Sequence, residues 1–155
     1  MIPKLFTAIG AALVLLFSAG GARATTSCSF GTMVGVAFGS YDVFGTLPLD
    51  SAGSIGFSCQ GVGASDTIVI DLSRGNATSF LPRQMLHGAD HLSYNLFLDA
   101  SRNVVWGDGT GGTSHYGPVT PPSSTVTISV YGRVPALQNV PVGSYGDTVV
   151  ATILF

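Results

Sequence analysis

From Cys28 onward, apolar and polar positions alternate in short runs separated by Gly, Pro, Asn and Ser, a period of two rather than 3.6. Residues 54–59 place Ile55, Phe57 and Cys59 on one face. Residues 67–72 are a β-branched run that ends in the turn Arg74-Gly75-Asn76. Residues 92–98 put Leu92, Tyr94, Leu96 and Leu98 on one face, and residues 125–131 do the same with Val126, Ile128 and Val130. Residues 28–38 and 104–106 read as further strands. Residues 148–155 close the set, with Val149, Ala151, Ile153 and Phe155 on one face. No run has helical spacing, and no repeat is present. Several short strands with turns between them predict an all-β sandwich or barrel. An apolar edge strand is normally blunted with charge or proline. Residues 148–155 are not, so they are expected either inside a sheet or beside a strand supplied from outside the chain.

Residues 1–24 follow a different rule. Lys4 lies near the start, an apolar run covers residues 7–18, and Ala22-Arg23-Ala24 offers a small-x-small cleavage pattern. Together these predict a secretory signal peptide and a mature domain over residues 25–155. The apolar run is too short for a transmembrane anchor, and no later run is long and apolar enough to span a membrane. The mature part then carries four arginines (Arg74, Arg83, Arg102, Arg133) against eight aspartates, a net charge of −4. It holds no Lys and no Glu, two good helix formers. Without a basic patch, nucleic acid and anionic membranes are poor partners. In an exported protein Cys28 and Cys59 are expected to form a disulfide. The chain-entropy model values such a loop at roughly 3.5–4 kcal/mol.

Candidate chemistry is sparse. His87 and His91 flank Asp90, but Gly88 interrupts and a strand follows, so the spacing does not predict a metal site. Asp108-Gly109-Thr110-Gly111-Gly112 lacks the ligand spacing of a calcium loop and opens no helix, so it reads as a turn. No Gly-x-Ser-x-Gly elbow accompanies the Ser, His and Asp residues, and no enzyme, metal or cofactor is expected. Asn76-Ala77-Thr78 matches a glycosylation pattern and reads as a turn. Trp106 and Tyr116 flank the Gly-rich loop: either they form a surface contact for a carbohydrate or an abiotic surface, or Trp106 belongs to the core. Tyr145 stands where a corner tyrosine would anchor the last strand.

The order of several motifs is informative. It runs from Cys28 through Phe38-Gly39-Ser40-Tyr41-Asp42, residues 55–59 and Arg83-Gln84-Met85 to Leu92-Ser93-Tyr94-Asn95-Leu96-Phe97-Leu98-Asp99. Val105-Trp106-Gly107-Asp108-Gly109, Val130-Tyr131-Gly132-Arg133-Val134-Pro135-Ala136 and Gly143-Ser144-Tyr145-Gly146-Asp147-Thr148-Val149 follow. In these the chain resembles the spore coat protein U domain family, the subunits of archaic chaperone–usher pili. The resemblance implies an incomplete immunoglobulin-like β-sandwich lacking its final strand. It also implies a periplasmic chaperone, an outer-membrane usher and neighbouring pilin subunits as partners, a surface fibre as destination, and a part in adhesion or biofilm. A donated strand would lie beside Val149, Ala151, Ile153 and Phe155, as in strand addition to an open edge. Shaft-forming relatives carry an apolar donor arm before the first Cys, whereas here Thr25-Thr26-Ser27 alone precede Cys28. Three residues reach about 10 Å, against ~33 Å for a ten-residue donor strand. The subunit is therefore expected to accept a strand and not to give one, which suits the tip or another end of a fibre. The competing expectation is a free-standing, lectin-like secreted binding module.

Overall fold

The computed structural model describes residues 25–155, so the expected signal peptide lies outside the described residues. Eight strands occur in chain order: β1 Ser27–Val34, β2 Leu49–Gln60, β3 Ile68–Leu72, β4 Arg83–His87, β5 Asp90–Phe97, β6 Tyr116–Val119, β7 Val126–Val134 and β8 Ala151–Leu154. No helix occurs among the described residues. One sheet has the order β1-β2-β7-β5-β4 and the other β6-β3-β8, and every pairing is antiparallel. The alternation read from the sequence explains the layers. Ile55, Phe57 and Cys59 of β2, Leu92, Tyr94 and Leu96 of β5, and Val130 and Val134 of β7 are buried against Ile68, Ile70 and Leu72 of β3. Each of the aliphatic and Phe side chains among them contributes about 1.5–3 kcal/mol when fully buried. The result is an incomplete immunoglobulin-like sandwich.

The expected disulfide is present, with Cys28 of β1 bonded to Cys59 of β2 across directly opposed positions, 31 residues apart in sequence. Three strand expectations need correction. Residues 28–38 are not one strand, because β1 leaves its ladder after Val34. The chain there crosses the inner face of the five-stranded sheet, and Val36 and Phe38 lie on Gly132 of β7, the only residue small enough to admit them. An added Cβ at Gly132 would sit 2.6 Å from Val36 Cγ1. Residues 104–106 make single bridges only, Val105 with Phe97 and Trp106 with Ser114. The last ladder is four residues long and begins at Ala151, not Thr148. Two strands had no alternation to announce them: β4, whose buried position is an arginine, and β6, which contains Gly117 and Pro118.

Candidate functional site

β8 lies at the edge of its sheet. One side pairs with β3, in the register Val69 with Leu154, Ile70 with Ile153, Asp71 with Thr152 and Leu72 with Ala151. Its other side has no ladder partner among the described residues, and the row of N–H and C=O groups there is a template for another strand. At the Ala151 end of that edge opens a groove of roughly 1220 Å³, larger than the ~300–1000 Å³ typical of small-molecule pockets. One wall is the end of β1 and the segment that follows it, from Met33 to Phe44, and the other is the segment from Val140 to Ala151. The floor is formed by core side chains, Ile55, Leu72, Met85, Leu92, Tyr94, Leu96, Val130 and Val134, all buried but the half-buried Met85. Met33, Val34, Phe44 and Val142 at the margin are all exposed, Val142 completely.

Polar contacts hold both walls in place. Tyr41 Oη donates to Pro135 O at 2.9 Å and accepts from Gln138 N at 2.8 Å, tying the first wall to the connection between β7 and β8. Ser51 Oγ donates to Ala37 O at 2.6 Å. On the second wall, Tyr94 Oη donates to Asp147 Oδ2 at 2.7 Å, while Asp147 Oδ1 accepts from Asn76 N and Thr148 N at 2.8 and 2.7 Å. Burial, reinforced by the Asp147 carboxylate, pushes the Tyr94 phenol far above its ordinary value, so it stays a donor at any physiological pH. Tyr145 Oη donates to Pro141 O at 2.9 Å, four residues upstream, as a corner tyrosine does.

The expected edge residues divide. Val149 and Ala151 line the groove. Ile153 shares their face and packs on the core further along β8, outside the groove wall. Phe155, beyond the last ladder pair, is 66% exposed. The surface contact suggested for Trp106 is overturned: its side chain is fully buried and its indole Nε1 donates to Ile70 O at 2.8 Å. Tyr116 is half-buried, 6.3 Å from Trp106 between ring centroids, and packs on the core. His87 and His91 lie on the β4–β5 hairpin. His115 Nδ1 is 3.5 Å from Asp71 Oδ1. Among the described residues no three His, Cys, Asp or Glu side chains assemble as a metal site. Asp108 Oδ1 accepts from Thr110 N and Thr110 Oγ1, which makes the Gly-rich loop a tight turn.

Sequence reasoning missed the first wall and Arg83. Two signals were available: the Phe38–Asp42 motif contains the tyrosine that locks the wall, and Arg83 opens the motif Arg83-Gln84-Met85, which carries a charge where no strand alternation was read. Arg83 is fully buried and donates to Ser73 O, Trp106 O and Asn95 Oδ1.

Comparison with known proteins agrees with this geometry. The family model described as Spore Coat Protein U domain matches residues 14–152. "Protein U" of Myxococcus xanthus is 39% identical over 144 residues, which cover 83% of this chain and 78% of that protein. Among solved structures, a chain of the CsuC–CsuE chaperone–tip adhesion subunit pre-assembly complex, from the archaic chaperone–usher Csu pili of Acinetobacter baumannii, superimposes with a TM-score of 0.58. It is 22% identical and covers 84% of this chain, which in turn spans 40% of that chain's length; the likeness is one of fold. With an open sandwich, a family match over nearly all the described residues and a relative at 39% identity, the chain belongs to the spore coat protein U domain family.

Proposed function

We propose that this protein is a non-catalytic structural subunit of a chaperone–usher surface fibre, which completes its fold by accepting a β-strand along the free edge of β8. The observation that carries the reading is the groove itself: its largely apolar lining reaches Val149 and Ala151, where the unpaired edge of β8 begins. A strand lying there would bond β8 through its backbone and send alternate side chains onto Leu72, Leu96 and Val130. The partners that supply such a strand are a periplasmic chaperone during export and a neighbouring subunit after passage through an outer-membrane usher. The destination is then the cell surface or an extracellular fibre, with a role in adhesion and biofilm. One solved relative in fold is a chain of a chaperone–tip adhesion subunit complex, which supports this assignment of partners. A place at the fibre end is the finer part of the proposal. Ser27 and Cys28 are already paired with Gln60 and Cys59 in β1, so a donor arm has to lie upstream of Ser27. The cleavage expected after Ala24 would leave Thr25 and Thr26 there, too short for a donor strand.

The test is complementation. A synthetic ten-residue peptide of alternating Val and Thr is titrated into the exported, disulfide-bonded chain. Binding should raise the melting temperature by mass action, about 2.7 kcal/mol of stability at a hundred times the dissociation constant. A chain that melts cooperatively alone and ignores the peptide would be a free-standing binding module instead. Immunogold label confined to fibre ends supports the terminal place, and label along the shaft refutes it.

A further inference from the structure

We propose that Arg83 and Ser73 are positioning residues for strand acceptance, which hold the start of β8 in ladder register while its other edge is empty. The inference rests on the groove reading. Arg83 is fully buried. Its Nε and Nη2 both donate to Ser73 O, at 2.9 and 2.8 Å, and Nη2 also donates to Trp106 O at 2.7 Å. A guanidinium fork is suited to bracketing one carbonyl in this way. The bracket determines where Ser73 O points, and that has a consequence for β8. Leu72 pairs with Ala151, so the next pair along is Ser73 with Val150. Half of that pair is regular: Ser73 N donates to Val150 O at 2.9 Å. In an antiparallel ladder the reciprocal bond runs from Val150 N to Ser73 O. That oxygen is committed to Arg83. Ser73 Oγ substitutes for it, accepting from Val150 N at 2.9 Å. The side chain thereby extends the ladder one residue beyond its last backbone pair.

The extension lies at the functional end of the strand. Val149 and Ala151 form the groove wall on either side of Val150. β8 is four residues long and bonded along one side only, the kind of element that opens locally at low cost. An arriving strand binds best to an edge already in register, because ordering that edge during binding subtracts from affinity. Once a strand is added, β8 is bonded on both sides and the Ser73 hydroxyl matters less. The contribution of Ser73 is therefore coupled to occupancy of the groove, which a purely structural hydrogen bond would not be.

The experiment uses the full mature, disulfide-bonded chain as wild type, Ser73→Ala and Ser73→Thr, with the alternating Val/Thr peptide as probe. Ser73→Ala should weaken peptide binding about fivefold, the worth of one net hydrogen bond, and Ser73→Thr should restore it. Amide exchange at Val150 should rise by about tenfold in Ser73→Ala relative to Ile55 in the β2–β7 ladder. Arg83→Lys keeps the charge and loses the fork, which frees Ser73 O to accept from Val150 N, so in that background Ser73→Ala should raise exchange at Val150 by less than it does in wild type; an undiminished rise overturns the part assigned to Arg83. When the same peptide sequence is fused after Phe155 through an Asn-Gly turn, so that it folds back antiparallel to β8, Ser73→Ala should lower the melting temperature by less than half of its effect in the open chain. Equal shifts in the two forms, or unchanged affinity with wild type still binding, overturn the inference alone. A wild type that binds no peptide sinks the groove reading and this inference with it.

Discussion

Replacing Ala151 by Asp probes the groove at its wall. Ala151 pairs with Leu72 through β3 and lines the groove on its other side. In the open chain this position is half-buried, so a carboxylate there keeps contact with water and stability changes little. With a strand added, the same carboxylate is sealed among apolar side chains with no cation in reach, since no arginine lines the groove. It is then taken up protonated. Protonating an aspartate of ordinary pKa, about 3.9, at pH 7 costs about 4 kcal/mol at 1.36 kcal/mol per unit. The sign follows: the complex binds one proton more than the free chain, so affinity strengthens as pH falls and weakens as it rises. Ala151→Asp should therefore lose about a thousandfold in affinity for the alternating Val/Thr peptide at pH 7 and regain about a hundredfold of it at pH 5. Wild type should move little over that range. Thr152→Asn, on the exposed face, should stay within about twofold of wild type. Isothermal titration calorimetry at the two pH values reads all three. A loss of equal size at pH 5 and pH 7, or no loss at all, refutes burial of this edge under a strand.

Three further outcomes are expected. Removing the Cys28–Cys59 bond by paired serine substitution should lower unfolding stability by about 3–4 kcal/mol, read from urea midpoints in non-reducing buffer. Equal midpoints would show that the staple carries no load. Gly132→Ala brings a Cβ within 2.7 Å of the Phe38 ring and 2.6 Å of Val36, and should cost about 1–3 kcal/mol while weakening peptide binding, because the first wall is displaced into the groove; an unchanged melting temperature would contradict that packing. Stability should respond to acid in two opposite ways. The Arg133 guanidinium, with Arg102 beside it, holds the Asp50 carboxyl below its ordinary value, so its small contribution is present above about pH 4 and is lost as pH falls through its lowered value. Burial raises Asp71, whose Oδ1 has no hydrogen-bond partner, so its contribution is lost as pH rises through the raised value. Asp71→Asn should accordingly stabilise at pH 7 relative to pH 4, and the reverse order in thermal scans would overturn the assignment.

Much of the fold was legible because period-two alternation is written directly into β2, β3, β5 and β7 by Ile55, Phe57, Ile70, Leu96 and Val130. The cysteine pair was legible for another reason: it is the one pair in a chain whose residues 1–24 read as an export signal. The missed elements share a cause. β4 buries an arginine where the pattern calls for an apolar residue, and its neighbours Ser73, Asn95 and Trp106 become visible only when four separate segments meet. β6 is paired despite Gly117 and Pro118 because Ile68 and Ile70 stand opposite it.

The sequence by itself determined that this is an all-β chain with a cysteine pair placed to staple it, a final strand too apolar for an open edge, and family motifs over most of its length. Those properties are local: each depends on residue type and spacing along a few neighbouring positions. Only the tertiary structure decided that Val36 and Phe38 leave β1 to wall a groove, that Trp106 belongs to the core, that Val149 and Ala151 face the groove while Phe155 does not, and that Ser73 rather than the backbone completes the ladder to Val150. These depend on which segments converge in space, and a buried guanidinium or a missing neighbour strand leaves no periodic trace in the chain that contains it.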